Sequence, residues 1–579
     1  MEAGKRTINE IFNGSRLLEI PFFQRSYVWE ESQWERLLED VEMVSSTNRP
    51  YFMGAVILKQ QQTSTSSRPG DVRAIIDGQQ RLTTLSILFK VLCLKTNSLD
   101  RFVRRFLVDD GRTVIQHNRY DTEAYTKIMN LQSPEEISGD DKISRCYMYF
   151  LNNLDPSKLD FDVISHSLLF VVIDLASDED EQQIFDTINS LGVTLTTAEL
   201  LKNYFFRRDQ VEQYEKYWFE VFEKDEETRE YWEAEIAAGR SMRTFIDLFF
   251  FAFLQIKIQE KELDVSTEDK LGFSKVERLF ESYKRFVKEY CGDDKQSILE
   301  EIREYALLFR NTFDSEVVYR ELPAEAGVQR LNAVIFAMDT TTIIPYLLFV
   351  ERNQPSESAR TELYGYLESY LLRRLITRQT TKNYNQLFAD RLIHNRVLTR
   401  EEFIAYLAGQ DEKINRMPED DEVREAFSKT VLTNKYATGV LYLIESKIRD
   451  RSRHATQLLG VRQYSLEHIM PKKWRNHWGQ LDPEAASIRD RKLLTLGNLT
   501  IITQSLNASI RDADWQTKLQ GKGNRGGLKK YTEGIETISS YLDLPAWDEG
   551  AIEKRGEHLA DLALNIWPVI RNRQTSRTF

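Results

Sequence analysis

The stretch IIDGQQRLTTLSILFKVLCLK, residues 75–95, joins two unlike patterns. Its first residues continue VRAIID, a short apolar run of the kind that makes a buried strand, whereas Leu82, Leu85, Leu88, Phe89 and Leu92 recur at helical spacing. Gly78 stands between them and permits a tight strand-to-helix turn. The spacing predicts strand, turn and helix in succession. Upstream, YFMGAVILK (residues 51–59) reads as a second strand, and the polar tract QQQTSTSSRPGD (60–71) as the mobile tip of a hairpin joining the two. Downstream, SLLFVVIDL (167–175) reads as a further buried strand, and Thr196 with Glu199 has the spacing of a capping box that opens another helix. An α/β domain over residues 1–207 follows from these elements.

The chain has 579 residues, more than one hydrophobic core serves, so two to four domains are expected. Residues 208–430 read as almost wholly helical. The acidic run MPEDDEVRE (417–425) reads as an exposed linker or loop before a last domain, 431–579, that ends in the amphipathic stretch EKRGEHLADLALNIW. The predicted class is a multidomain α+β protein. The start, Met-Glu-Ala-Gly-Lys-Arg, lacks the apolar run of a signal peptide, and the greasiest stretches are too short to cross a bilayer, which predicts a cytoplasmic protein with no membrane partner. Cys93, Cys146 and Cys291 are far apart and form no C-x-x-C pair, so neither a disulfide framework nor a structural zinc site is expected.

The net charge of −12 opposes polyanion binding for the chain as a whole, but charge is local. Between Val461 and Lys530 there are 13 Lys and Arg against 6 Asp and Glu, and a bound polyanion belongs near this segment.

Two constellations carry chemistry. In the first, Asp77 ends a strand, Gly78 turns, and Gln79, Gln80 and Arg81 occupy the first helical turn. Backbone N–H groups and the positive end of the helix dipole favour phosphate there. Arg81 could clamp that phosphate, and Asp77 could hold magnesium or orient water. The plainer alternative is that Asp77 caps the helix and Arg81 pairs with a surface carboxylate. Residues 19–30, EIPFFQRSYVWE, repeat the theme: Gln24 and Arg25 lie among Phe22, Phe23, Tyr27 and Trp29, so Arg25 either stacks on the rings or meets an anion.

In the second, SLEHIMPKKW (465–474) sets Glu467 directly before His468, and LGNLTIITQSLNASIRDADWQTK (496–518) carries Asn498, Asn507 and Lys518. Phosphodiester hydrolysis needs a base of near-neutral pKa and a divalent ion, Mg2+ or Mn2+, held by hard oxygen ligands. His468, Glu467 and Asn507 can supply those roles. Lys472, Lys473, Arg475, Lys518, Lys522 and Arg525, interleaved with Trp474 and Trp478, could track a DNA backbone, or form a solvated basic face.

IPFFQRSYVW, IDGQQRLTTL and IFDTINSLGVTLTTAELLK (184–202) together resemble the ParB-like N-terminal domain of GmrSD-kind, modification-dependent (type IV) restriction nucleases. The second constellation resembles HNH (ββα-metal) nucleases, and in detail the C-terminal domain of the same family. The resemblance implies binding and hydrolysis of a nucleoside triphosphate, GTP, ATP or another, at Gln24, Arg25, Asp77, Gly78, Gln79, Gln80, Arg81 and Asn189. Asp77 is the catalytic member of that set, and Asn189 is alternatively a turn residue before Gly192. It implies His468 as general base, Glu467 and Asn507 as metal ligands, and Asn498 as the brace of the histidine loop. Glu467 stands where many HNH enzymes have aspartate, and the third position is asparagine. The insertion after His468 is long and contains His477, an alternative third ligand. The implied activity is nucleotide-responsive cleavage of modified double-stranded phage DNA, with a homodimer the simplest assembly for cuts on opposite strands. The alternatives are a non-cleaving ParB-like DNA sensor with a degenerate nuclease domain, and an RNA-directed nuclease toxin.

Overall fold

The computed structural model describes residues 2–13, 15–22, 24–61, 71–108, 110–177, 196–206, 210–239, 241–410, 413–450, 457–522, 525–531 and 535–570. The chain divides into two compact units, Met1–Phe219 and Glu220–Phe579. The segments 208–430 and 431–579 thus share most of their length in the second unit.

The first unit is built on a six-stranded sheet: β1 (Glu2–Thr7), β2 (Arg16–Glu19), β3 (Tyr51–Gln60), β4 (Asp71–Asp77), β5 (Ile115–Gln116) and β6 (Leu168–Leu175), in the order β1-β6-β3-β4-β2-β5. β3 and β4 pair antiparallel, with Ile57 opposite Asp77, as expected of a hairpin. The hairpin tip, residues 62–70, lies outside the described residues. β6 runs parallel to β3, and β2 parallel to β4, so the sheet is mixed. Five charged residues form a ladder over it. Arg6 and Arg73 both pair with Asp174, Arg73 reaches Asp71 at 2.9 Å, and Arg16 reaches the same Asp71 at 2.7 Å.

The helix Gln79–Lys95 is not amphipathic in the way its leucine spacing suggests. It is buried almost all round, including Thr83, Thr84, Ser86 and Lys90. Two of these polar groups show how burial is met: the Thr84 hydroxyl donates to the Gln80 carbonyl at 2.7 Å, one turn back, and the Lys90 ammonium to the distant Met129 carbonyl at 2.7 Å. This central helix fixes the turn at its N-terminus.

The second unit is mainly helical, with a short hairpin of β7 (Glu235–Ala238) and β8 (Ser241–Thr244). The long helix Glu357–Ile376 meets one buried cation from the helix Val328–Met338 and carries another of its own. Arg330 grips Glu368 through two bonds of 2.8 Å, and Arg373 donates to the main-chain oxygens of Pro418 and Trp567. The acidic run expected as a linker is instead the start of the helix Asp420–Lys429, with Glu419 in a capping box. Carboxylates at that end favour a helix through its dipole, and Arg373 and Arg416 hold Asp420 and Glu422 in place. Near the C-terminus, β9 (Tyr464–His468) pairs antiparallel with β10 (Leu499–Thr503), and the helix Gln504–Ile510 follows directly. The expected C-terminal helix is Glu549–Ile566. Among the described residues, no helix is long and apolar enough to cross a membrane.

Candidate functional site

In the first unit the two Gln/Arg motifs come together. The Gln24 amide donates to the carbonyls of Ile75 and Ile76 at 2.7 and 3.2 Å, at the end of β4. Gln79 donates to the Arg25 carbonyl at 3.1 Å, and Gln80 both donates to Ser26 (3.2 Å) and accepts from the Val28 N–H (2.8 Å). The three glutamines therefore strap the loop 21–30 to the helix start. Gln24 and Gln80 are buried, and a ligand meets their neighbours first.

Those neighbours are Arg25, Asp77 and Arg81, whose side chains are 26%, 48% and 22% exposed. The aromatic setting of Arg25 resolves as follows: its guanidinium faces the Glu199 carboxylate at 3.8 Å, while the Tyr27 hydroxyl turns inward to Thr84 and Trp34. Arg81 binds Asp77 at 3.2 Å and the Met53 carbonyl at 3.1 Å. Gly78 turns the chain with φ 100°, a conformation that favours glycine. Gly54 has φ 105°, and a Cβ there would lie 2.1 Å from the Arg81 Nη1. Gly54 and Glu199 are neighbours of this site; the sequence marks Glu199 only as a capping residue and does not single out Gly54. A lone glycine inside YFMGAVILK was the available signal for Gly54, and β3 does shift register between Phe52 and Ala55. Asn189 lies outside the described residues.

In the second unit β9, β10 and the helix Gln504–Ile510 bring Glu467, His468, Asn498 and Asn507 to one place. Leu499 and Thr500 pair across from His468 and Glu467. Asn498 is fully buried, and every atom of its amide is used. Its nitrogen donates to the carbonyls of Met470 (2.8 Å) and Leu493 (3.0 Å), and its oxygen accepts from the Met470 N–H (2.9 Å) and the Trp547 indole (3.0 Å). The loop leaving His468 is thereby clamped two residues on. Arg555, fully buried in the C-terminal helix, donates to the carbonyls of Gly497 (2.9 Å) and Leu499 (2.7 Å) on either side of Asn498. Burial draws its guanidinium down to about 10. Gly497 allows this approach, because a Cβ there would lie 2.2 Å from the Ile552 carbonyl. Arg555 and Trp547 come from far along the sequence, and no local spacing announces them.

Asn507 uses its nitrogen to reach the Ser465 hydroxyl (3.0 Å) and the Leu466 carbonyl (3.1 Å), which leaves Oδ1 as the atom a hard cation would take. Glu467 is buried against the ammonium of Lys518, which also donates to the His468 carbonyl at 2.7 Å. Burial pushes the Glu467 carboxyl up and the Lys518 amine down, and their mutual pairing opposes both shifts. Burial, with the positive charges of Lys472 and Lys518 nearby, draws His468 down to about 4, so its imidazole is neutral at pH 7. A carboxylate and a carboxamide oxygen fit a hard divalent ion that keeps several waters. Among the described residues no three His, Cys, Asp or Glu side chains group to hold a metal, and His477, exposed after the turn Trp474–Asn476, joins no such cluster.

Lys518 is thus not on the exposed basic face, because its ammonium is wholly enclosed by the Glu467 pair. Arg475 pairs with Asp490 at 2.8 Å and lies over the Trp474 ring. Part of the local positive excess is balanced from outside the segment, Arg489 by Glu549, Lys492 by Glu553 and Lys529 by Asp543. Lys472, Lys473 and Lys522 are exposed, and the charge of Lys473 acts on the nearby Asp512 carboxylate. The side chain of Arg525 lies outside the described part.

The comparisons with known families follow the same division. Residues 8–206 match the GmrSD restriction endonuclease N-terminal domain, and residues 417–562 match the GmrSD restriction endonucleases C-terminal domain. The protein is a restriction endonuclease, with DNA as its substrate. Within that class, the chain belongs to the GmrSD family, the type IV restriction endonucleases. No curated protein matches it.

Proposed function

We propose that the protein is a nucleotide-responsive, divalent-metal-dependent endonuclease of the HNH type that cuts modified foreign DNA, with a ParB-like triphosphate-binding first unit. The observation that carries the nuclease reading is geometric: His468 stands beside Glu467 on a strand that pairs with β10, and its loop is clamped by Asn498. A neutral imidazole can accept a proton from water, and the protonated ring holds it while the phosphorus–O3′ bond breaks. Glu467 and the Asn507 Oδ1 would hold Mg2+ or Mn2+, which when bound neutralises phosphate charge and the departing oxygen. Asn498 keeps the histidine loop in one position, and Lys472, Lys473 and Lys522 attract the DNA backbone.

In the first unit, Arg25 and Arg81 would take the triphosphate oxygens and Asp77 would orient water or a magnesium ion. Both arginines now face internal carboxylates, Glu199 and Asp77, which an incoming phosphate would replace. Triphosphate occupancy then modulates DNA cutting, and DNA in turn changes triphosphate affinity, because binding coupling is reciprocal. The protein acts in the cytoplasm in phage defence, and a homodimer would cut both strands.

The test is digestion of matched unmodified and phage-modified plasmid DNA with Mg2+ or Mn2+, adding each nucleoside triphosphate in turn. Metal-dependent cutting of the modified plasmid alone, altered by one triphosphate, is expected. No cutting of either plasmid, with triphosphate still hydrolysed, would favour a non-cleaving sensor. Preferential cutting of RNA would favour an RNA-directed toxin.

A further inference from the structure

Lys518 is an unusual occupant of this centre. Its ammonium has no solvent exposure and sits on the Glu467 carboxylate, itself 8% exposed, while a second bond ties it to the His468 carbonyl. It comes from the short helix Trp515–Gln520, which Asp514 caps through the Thr517 N–H and hydroxyl. That helix runs into a turn with no room to spare: a Cβ at Gly527 would lie 2.4 Å from the Lys518 carbonyl. The backbone that carries Lys518 is therefore held from both ends.

A buried carboxylate needs a compensating charge, and here an amine of the same chain supplies it. The same carboxylate is the only anionic donor in the proposed metal set, the other donor being the neutral amide oxygen of Asn507. A divalent ion at Glu467 and an ammonium on the same carboxylate are like charges a few ångströms apart in a site with little water to screen them. They compete for one anion.

We propose that Lys518 is a built-in counter-cation of Glu467 that a divalent ion must displace, so that this buried ammonium sets the metal affinity of the nuclease centre. The inference rests on the metal-ligand role given above to Glu467. It makes Lys518 a positioning residue: before loading it holds Glu467 and the strand end at His468 together, and on loading it yields the carboxylate. Its effect on cutting is exerted through metal occupancy and not through contact with DNA.

The experiment is calorimetric titration of Mn2+ into the full-length wild type, Lys518→Met, Lys518→Gln and Glu467→Gln, with thermal melting of each protein at zero and saturating Mn2+. Lys518→Met and Lys518→Gln are expected to bind Mn2+ about tenfold more tightly than wild type, within the range over which groups beside a ligand change metal affinity. Their melting temperatures are expected to fall without metal and to recover more than wild type with it, because the ion then supplies the missing charge. A purely structural lysine would lower the melting temperature equally with and without metal. Unchanged or weaker Mn2+ binding in folded lysine variants overturns the inference. Mn2+ binding that Glu467→Gln leaves intact overturns instead the ligand reading on which it rests.

Should neither lysine variant fold, amine acetylation of the wild type read by mass spectrometry decides the matter. Lys518 labelling is expected to rise with saturating Mn2+, and unchanged protection of Lys518 in the loaded protein contradicts the displacement.

Discussion

Arg81 lies directly against Gly54: its Nη1 occupies the space where a Cβ at that position would stand, 2.1 Å away, and the same nitrogen donates to the Met53 carbonyl at 3.1 Å. The guanidinium nearest the strand-to-helix turn is therefore held by a strand whose own glycine makes room for it. Gly54→Ala forces Arg81 aside and also places alanine at φ 105°, a strain of about 1–2 kcal/mol. Triphosphate affinity, measured by calorimetry, is expected to fall about ten- to a hundredfold, as for Arg81→Ala, since each loses a charge-assisted bond worth roughly 1.5–3 kcal/mol. Metal-dependent nicking by an isolated, folded Gly54→Ala protein in the absence of triphosphate is expected to persist. Wild-type triphosphate affinity in Gly54→Ala would remove Arg81 from the phosphate site.

The two asparagines are expected to fail differently. Asn498→Ala leaves the Met470 N–H and carbonyl, the Leu493 carbonyl and the Trp547 indole without their buried partner, at a cost of about 3 kcal/mol. Its melting temperature should drop and added metal should restore little cutting. Asn507→Ala, half-buried, should lose little stability and recover cutting as Mn2+ is raised. Identical metal titration curves for Asn507→Ala and wild type would move the third ligand to His477.

The acid response of His468 has a definite sign. Its folded value of about 4 is below the ordinary 6.5, so between these pH values the unfolded chain binds more protons than the folded one. The stabilisation is complete above pH 6.5 and is lost as pH falls toward 4, by up to about 3 kcal/mol. In metal-free protein the His468 ring signal in an NMR titration should show no protonation until below pH 5. A midpoint near 6.5 would mean that the ring is solvated and not enclosed.

Much of this architecture was legible in the sequence because its signals are local. The strand-turn-helix at Asp77–Gln79, the β3–β4 pairing and the Thr196–Glu199 capping box all depend on residues close together in the chain. What was not legible depends on distant partners. Lysine at position 518 looks like one more surface cation until Glu467 is placed beside it, and Gln24 looks like a ligand group until its amide is seen on Ile75 and Ile76. The acidic run at 417–425 looked like a linker because its carboxylates outnumber the cations beside them in sequence, whereas Arg373 of another helix supplies a further partner. Arg555 and Trp547 support Asn498 from some fifty residues away, a relation that only the folded chain creates.

The central claim is that His468 is the proton acceptor of a DNA-cutting centre separate from the triphosphate site. Its most direct measurement is plasmid nicking and triphosphate hydrolysis, side by side, for wild type and His468→Ala. Cutting is expected to fall by roughly 10²–10⁴ while triphosphate hydrolysis and the melting temperature stay near wild type. Near wild-type cutting by His468→Ala would contradict it.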